Sequence, residues 1–186
     1  MSNLYIIAGP NGAGKTTAAM TVLPEALHVK EFVNADEIAR GLSPLNPAGM
    51  AIEAGKIMLK RIRQLASEGE DFSIETTLAS KSYIKLIKKC QAEGYVVTLI
   101  FFYLNGWELA RQRVEQRVSK GGHDIPEIDI ERRYYRGIKN LPEYISIVDF
   151  WSLYDNSEGK YLPIARGVRE GKIIINFELW DHINGK

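Results

Sequence analysis

The sequence predicts an α/β fold, a three-layer, doubly wound sheet that is mainly parallel. Short runs that are almost wholly apolar, as strands buried on both faces must be, alternate with longer segments of helical periodicity. A glycine-rich loop, Gly9-Pro10-Asn11-Gly12-Ala13-Gly14-Lys15-Thr16, stands between the first such run and the first helix, the order of a strand, loop and helix phosphate motif. The apolar runs are Leu4 to Ala8, Phe32 to Asn34, Phe72 to Ile74, Tyr95 to Leu104, Phe150 to Tyr154 and Lys172 to Phe177. Each is flanked by turn or helix signals and reads as a strand.

The helices follow in order. Lys15 to about Leu23 continues from the loop. Between Asn46 and Gly69, Ile52, Gly55, Leu59, Ile62 and Ala66 recur in steps of three and four, with Asn46 as N-cap and Pro47 in the first turn. Ser80 caps a helix through Ala92 that ends at Gly94, and Trp107 to Lys120 forms another that stops at Gly121-Gly122. Gly167 to Lys172 predicts a C-terminal antiparallel hairpin joining Leu162–Arg166 to Lys172–Phe177.

The 186 residues, 45% hydrophobic and 25% charged, suit one domain spanning 1–186 with its own core. A net charge of +1 leaves no global attraction to nucleic acid or membrane. No apolar run approaches the roughly 18 residues of a membrane span. Cys90 is the only cysteine, so no intrachain disulfide forms. A reducing compartment, the cytoplasm, is the expected location.

In the pattern G-x-x-x-x-G-K-[ST], glycines let successive backbone N–H groups turn onto phosphate oxygens. Lys15 reaches the outer phosphates and the Thr16 hydroxyl serves Mg²⁺. Gly9, Asn11, Gly12, Ala13, Gly14, Lys15, Thr16 and Thr17 are therefore the nucleotide-binding candidates. Ligands of open α/β sheets bind beyond the carboxyl ends of the strands. Asp36 stands at one such end, where it either takes the proton of an acceptor hydroxyl or caps the short helix that follows. Glu75 interrupts another, placed to contact sugar hydroxyls, to hold water on Mg²⁺, or to face solvent. Thr76 and Arg40 join these two carboxylates as substrate-binding candidates.

Residues 108 to 140 are rich in arginine. Arg113 and Arg117 share one helix face, and Arg132 and Arg136 repeat the spacing in the next helix. The loop from Ser119 to Pro126 between them fits a closing lid whose arginines stabilise charge on a moving phosphoryl group. The alternative is a solvated helix pair with ion pairs to Glu108, Glu115, Glu127 and Glu131.

The loop at 9–17, Asn34-Ala35-Asp36, Glu75-Thr76-Thr77-Leu78, Arg117 with Gly121-Gly122-His123, Arg132-Arg133-Tyr134 and Tyr154-Asp155-Asn156-Ser157 together resemble the zeta-toxin family of P-loop kinases, from about Asn3 to Ser157. The resemblance implies a nucleoside-monophosphate-kinase-like core that phosphorylates a hydroxyl, in well-understood members one of UDP-N-acetylglucosamine, with ATP and Mg²⁺. It implies Asp36 as base, Lys15 and Thr16 on phosphate and Mg²⁺, and Glu75 on the sugar nucleotide. Arg117 with Arg132 or Arg133 would supply transition-state charge; Arg132 is preferred. Arg113, at the start of a lid resembling that of nucleoside monophosphate kinases, would pack on adenine. The family also implies an antitoxin protein as partner.

Overall fold

The computed structural model describes residues 1–122 and 124–185. Seven strands form one sheet: β1 (Asn3–Ala8), β2 (Glu31–Val33), β3 (Phe72–Thr76), β4 (Val96–Tyr103), β5 (Phe150–Asp155), β6 (Leu162–Val168) and β7 (Gly171–Ile174). Their spatial order is β2-β3-β1-β4-β5-β6-β7. The first five are parallel, and β6 and β7 add antiparallel pairs at one edge. The helices are α1 (Lys15–Ala26), α2 (Ala35–Leu42), α3 (Ala51–Glu68), α4 (Ser82–Ala92), α5 (Trp107–Ser119), α6 (Glu127–Ile147) and α7 (Phe177–Ile183).

Strand side chains alternate between two cores, and that alternation makes the three layers. From β1, Leu4, Ile6 and Ala8 enter a core closed by Met58, Ile62 and Leu65 of α3, Ile87 and Cys90 of α4, and Leu141 and Tyr144 of α6. Ile7 turns to the other face, where Ala18 and Ala19 of α1 and Ala110 and Val114 of α5 pack. Strands covered on both sides must be apolar at nearly every position.

The structure shifts several expected boundaries. On α3 the buried stripe is Ala54, Met58, Ile62 and Leu65, whereas Ile52 is 79% exposed. The apolar residues of this helix extend beyond one stripe, so more than one phase satisfied the three-and-four spacing. Asn46 accepts from the Gly49 N–H and closes a 3₁₀ turn at Ala48–Met50; α3 begins after it. Ser80 accepts from the Ser82 N–H but does not hold the cap position, which falls on Lys81, and α4 starts at Ser82. The hairpin turn is shorter than expected, because β6 runs to Val168 and pairs with Gly171.

The last expected strand stops at Ile174. Asn176 instead caps α7 by accepting from the Leu179 N–H, and α7 lays Trp180 on Trp151 with ring centroids 5.6 Å apart. One polar residue inside an apolar run converted a strand continuation into a helix start.

β3 ends in a tight turn in which Leu78 holds a left-handed backbone, φ 55°. α6 overlies that turn. A Cβ at Gly137 would collide with the Thr77 carbonyl, Asn140 Nδ2 donates to Leu78 O at 2.8 Å, and the Tyr144 hydroxyl donates to Ser80 O at 2.6 Å.

Candidate active site

The glycine-rich loop leaves β1 at the carboxyl edge of the sheet, anchored by the Gly9 N–H donating to Thr76 O at 3.3 Å. Gly12 and Gly14 take φ of 76° and 80°, a region closed to most side chains, and thereby curl the loop about its own centre. Lys15 then opens α1. Its Nζ donates to Pro10 O at 2.9 Å and lies 3.7 Å from Glu75 Oε1, with the two side chains only 6% and 11% exposed. Burial pulls the Lys15 ammonium below its ordinary pKa and Arg117 adds to that, while Glu75 and Asp36 oppose it.

Glu75 is the hub. Its Oε2 accepts from the Thr16 hydroxyl at 2.7 Å and from Asn34 Nδ2 at 2.8 Å. A carboxylate at this depth is tolerable because it is multiply hydrogen-bonded and faces an ammonium. The solvent-facing alternative for Glu75 therefore falls. Asn34 in turn caps α2, its Oδ1 accepting from the N–H groups of Asp36 and Glu37. Asp36 is thus not the cap: it sits in the first turn of α2, and its carboxylate makes no hydrogen bond or ion pair among the described residues. Asn34 was missed as a site residue, although an Asn two positions before Asp36 was a readable cap signal.

Two cavities meet over this cluster. One of about 370 Å³ runs between α2, α3, α4 and α6, and includes Thr76, Tyr83, Asp129 and Arg133. The other, of about 220 Å³, lies over the loop and includes Gly12, Gly14, Thr16, Thr17, Arg40, Arg113 and Arg117. Asn11, Lys15, Asn34, Asp36 and Glu75 line both. Gly9 and Ala13 line neither. Ala13 is fully buried and belongs to the site through its backbone alone.

The structure places Arg40 beside the loop rather than in the larger cavity, in an exposed pair with Glu37 at 3.4 Å. Thr76 does face the larger cavity, while its hydroxyl accepts from the Leu78 N–H. The guanidinium of Arg113 donates to Asn156 O, at 2.6 Å, and to Ser157 O, at 2.8 Å.

Arg132 is not brought to the cleft. It is half exposed and pairs with Asp129 at 2.6 Å, and Arg133 lines the cavity in its place. Asp129 and Arg133, four apart, share the inward side of α6, and one helical position rotates Arg132 by about 100° away from it. Arg111 pairs with Glu115 and Glu127 as a solvated helix pair would. His123 lies outside the described residues.

A 2-3-1-4-5 parallel core, a phosphate loop running from β1 into α1, and carboxylates at the ends of the two neighbouring strands define the fold of P-loop kinases. A model of the Zeta toxin family matches residues 2–146, and the chain belongs to that family. An uncharacterized protein of Haemophilus influenzae is 30% identical over 126 residues, covering 68% of this chain and 88% of that protein.

Among solved structures, the complex of AvrRxo1-ORF1 and AvrRxo1-ORF2 with ATP shares the fold at a TM-score of 0.80 and 18% identity, over 98% of this chain. This chain spans 63% of that one. The PezAT chromosomal toxin-antitoxin system of Streptococcus pneumoniae gives 0.71 at 17% identity, covering 100% of this chain and 80% of its own. No described helix is long and apolar enough to cross a membrane.

Proposed function

We propose that the protein transfers the γ-phosphoryl group of ATP to a hydroxyl of a small molecule, with a sugar nucleotide such as UDP-N-acetylglucosamine as the first acceptor to test. The carrying observation is that two cavities, one over the phosphate loop and one beyond it, converge on Lys15, Asp36 and Glu75. A donor and an acceptor bound there would meet at one point, the positioning on which phosphoryl transfer depends.

In this reading the loop and Lys15 hold the donor's phosphates. Asp36 Oδ accepts the proton of the acceptor hydroxyl as its oxygen bonds to the γ-phosphorus and the bond to ADP breaks. Arg117 from the loop side and Arg133 from the acceptor side supply positive charge to the moving group. The Thr16 hydroxyl and the Glu75 carboxylate suit a hard cation, and no group of three or more His, Cys, Asp or Glu side chains among the described residues offers an all-protein metal cage. That donor set fits Mg²⁺, which keeps water and phosphate oxygens as its other ligands and supplies charge neutralisation when bound. The AvrRxo1-ORF1:-ORF2 structure with ATP supports the choice of donor, and the toxin-antitoxin neighbour supports an antitoxin as partner. The cytoplasm fits both.

Mass spectrometry of Mg²⁺-ATP incubations with UDP-N-acetylglucosamine and a metabolite panel tests the proposal. A product heavier by one phosphoryl group, reduced about 10²–10⁴-fold in Asp36→Asn, is expected. ATP hydrolysis indifferent to every acceptor would overturn it in favour of an ATPase.

A further inference from the structure

Three consecutive carbonyls of the phosphate loop are held from outside by three side chains. Arg113 Nη1 reaches Gly12 O at 3.5 Å, Asn156 Nδ2 donates to Ala13 O at 3.0 Å, and the Tyr161 hydroxyl donates to Gly14 O at 3.1 Å. Arg113 also ties the donor segment together through Asn156 O and Ser157 O. Tyr161 is seated by its ring on Phe102, centroids 5.0 Å apart. Asn156 and Tyr161 belong to the β5–β6 connection, Asn156 within the Tyr154-Asp155-Asn156-Ser157 motif.

A peptide unit's carbonyl and N–H point in opposite directions. Drawing the Ala13 and Gly14 carbonyls outward therefore turns the Gly14 and Lys15 N–H groups the opposite way, toward the place a phosphate would occupy, while the Ala13 N–H donates to Pro10 O at 3.2 Å. Packing around Gly14 leaves the clamp little slack: a Cβ there would lie 2.9 Å from both Asn156 Nδ2 and the Tyr161 hydroxyl. Asn156 Oδ1 is buried without a hydrogen-bond partner among the described residues. Asn156 is oriented by the loop: its Nδ2 donates to Ala13 O while its own backbone carbonyl accepts from Arg113.

We propose that Asn156 and Tyr161 are positioning residues that pre-set the phosphate loop for nucleotide, so that the C-terminal β5–β6 connection is part of the donor site. The inference rests on the loop binding ATP, as proposed above. Asn156→Asp replaces a donor by an acceptor facing Ala13 O, and Tyr161→Phe removes one hydroxyl while keeping the ring on Phe102.

Calorimetric titration of the full chain with Mg²⁺-ATP should show a 10-fold or greater loss of affinity for Asn156→Asp and a 3- to 10-fold loss for Tyr161→Phe. The nucleotide-free melting temperature of Tyr161→Phe and its KM for the acceptor should stay close to wild type. A purely structural role would instead lower the melting temperature and leave ATP affinity within two-fold, and that result overturns the inference. Tyr161→Phe decides alone if Asn156→Asp does not fold. Absence of ATP binding by the wild type would remove the function proposed above, a result distinct from equal binding by wild type and variants, which removes the clamp alone.

Discussion

The floor and the roof of the cleft are built on opposite principles. On the floor, Lys15, Thr16, Asn34 and Glu75 are buried or nearly so and satisfy one another within a few ångströms. On the roof, Arg111 and Arg132 make partly exposed ion pairs with neighbours on α5 and α6. Buried, mutually bonded charges hold one geometry, whereas exposed pairs are worth little and exchange partners easily. The floor is held in one geometry, whereas the roof pairs can be exchanged at little cost.

Substitutions can break or sharpen that contrast. The largest effect is expected for Lys15→Ala on the floor: transfer should fall by at least about 10³-fold, since a preorganised charge at the phosphates is removed. Product detection by mass spectrometry checks this, and retained activity would undo the phosphate-loop reading. Next comes Glu75→Gln, which keeps the shape but leaves the buried Lys15 ammonium without its counter-charge. A loss of about 2–3 kcal/mol in urea unfolding is expected, together with a marked loss of transfer.

On the roof the test is a pair. Arg133→Ala should reduce transfer by about 10- to 100-fold, while Arg132→Ala, one residue along, should change it less than about two-fold because an exposed pair is lost. Equal effects would mean that α6 rotates or shifts in the working complex.

The smallest effect concerns pH. Because burial holds the folded Lys15 pKa below 10.5, the unfolded chain binds the extra proton between the two values. The contribution of this group to stability is unfavourable below the lowered pKa and is relieved as pH rises toward 10.5. The stability difference between Lys15→Met and wild type should therefore shift in favour of wild type over that interval in chemical unfolding. A gap independent of pH would place the ammonium in a more solvated setting than its burial indicates.

The same contrast explains what could be read from the chain. Except for Asn34, the floor was legible: Gly9 to Thr16 carries its geometry in glycine spacing, and Asp36 and Glu75 stand where apolar runs end. Both signals are local. The roof was legible only as a charged region, because the choice between Arg132 and Arg133 depends on helical phase, which is fixed by what α6 packs against. The clamp was hidden for a different reason. Asn156 and Ala13 are 143 residues apart, and pairing at that distance leaves no trace in periodicity or spacing. The face of α3 and the start of α7 belong to the same class, each decided by tertiary packing or by a single cap.

The attachment of α6 has a mechanical meaning. Its C-terminal half is bolted to the β3 turn through Asn140 and Tyr144, and Pro142 withholds one backbone hydrogen bond just there. Arg133 rides the other half, about 10 Å along the axis from Asn140 at 1.5 Å rise per residue. Were α6 to pivot, the strand end that carries Glu75 and Thr76 would be its fulcrum. A tilt of about 10° would carry Arg133 by about 2 Å at that arm length and leave Leu78 in place. A change at the fulcrum, made without touching either cavity's contents, would set the stroke of the roof.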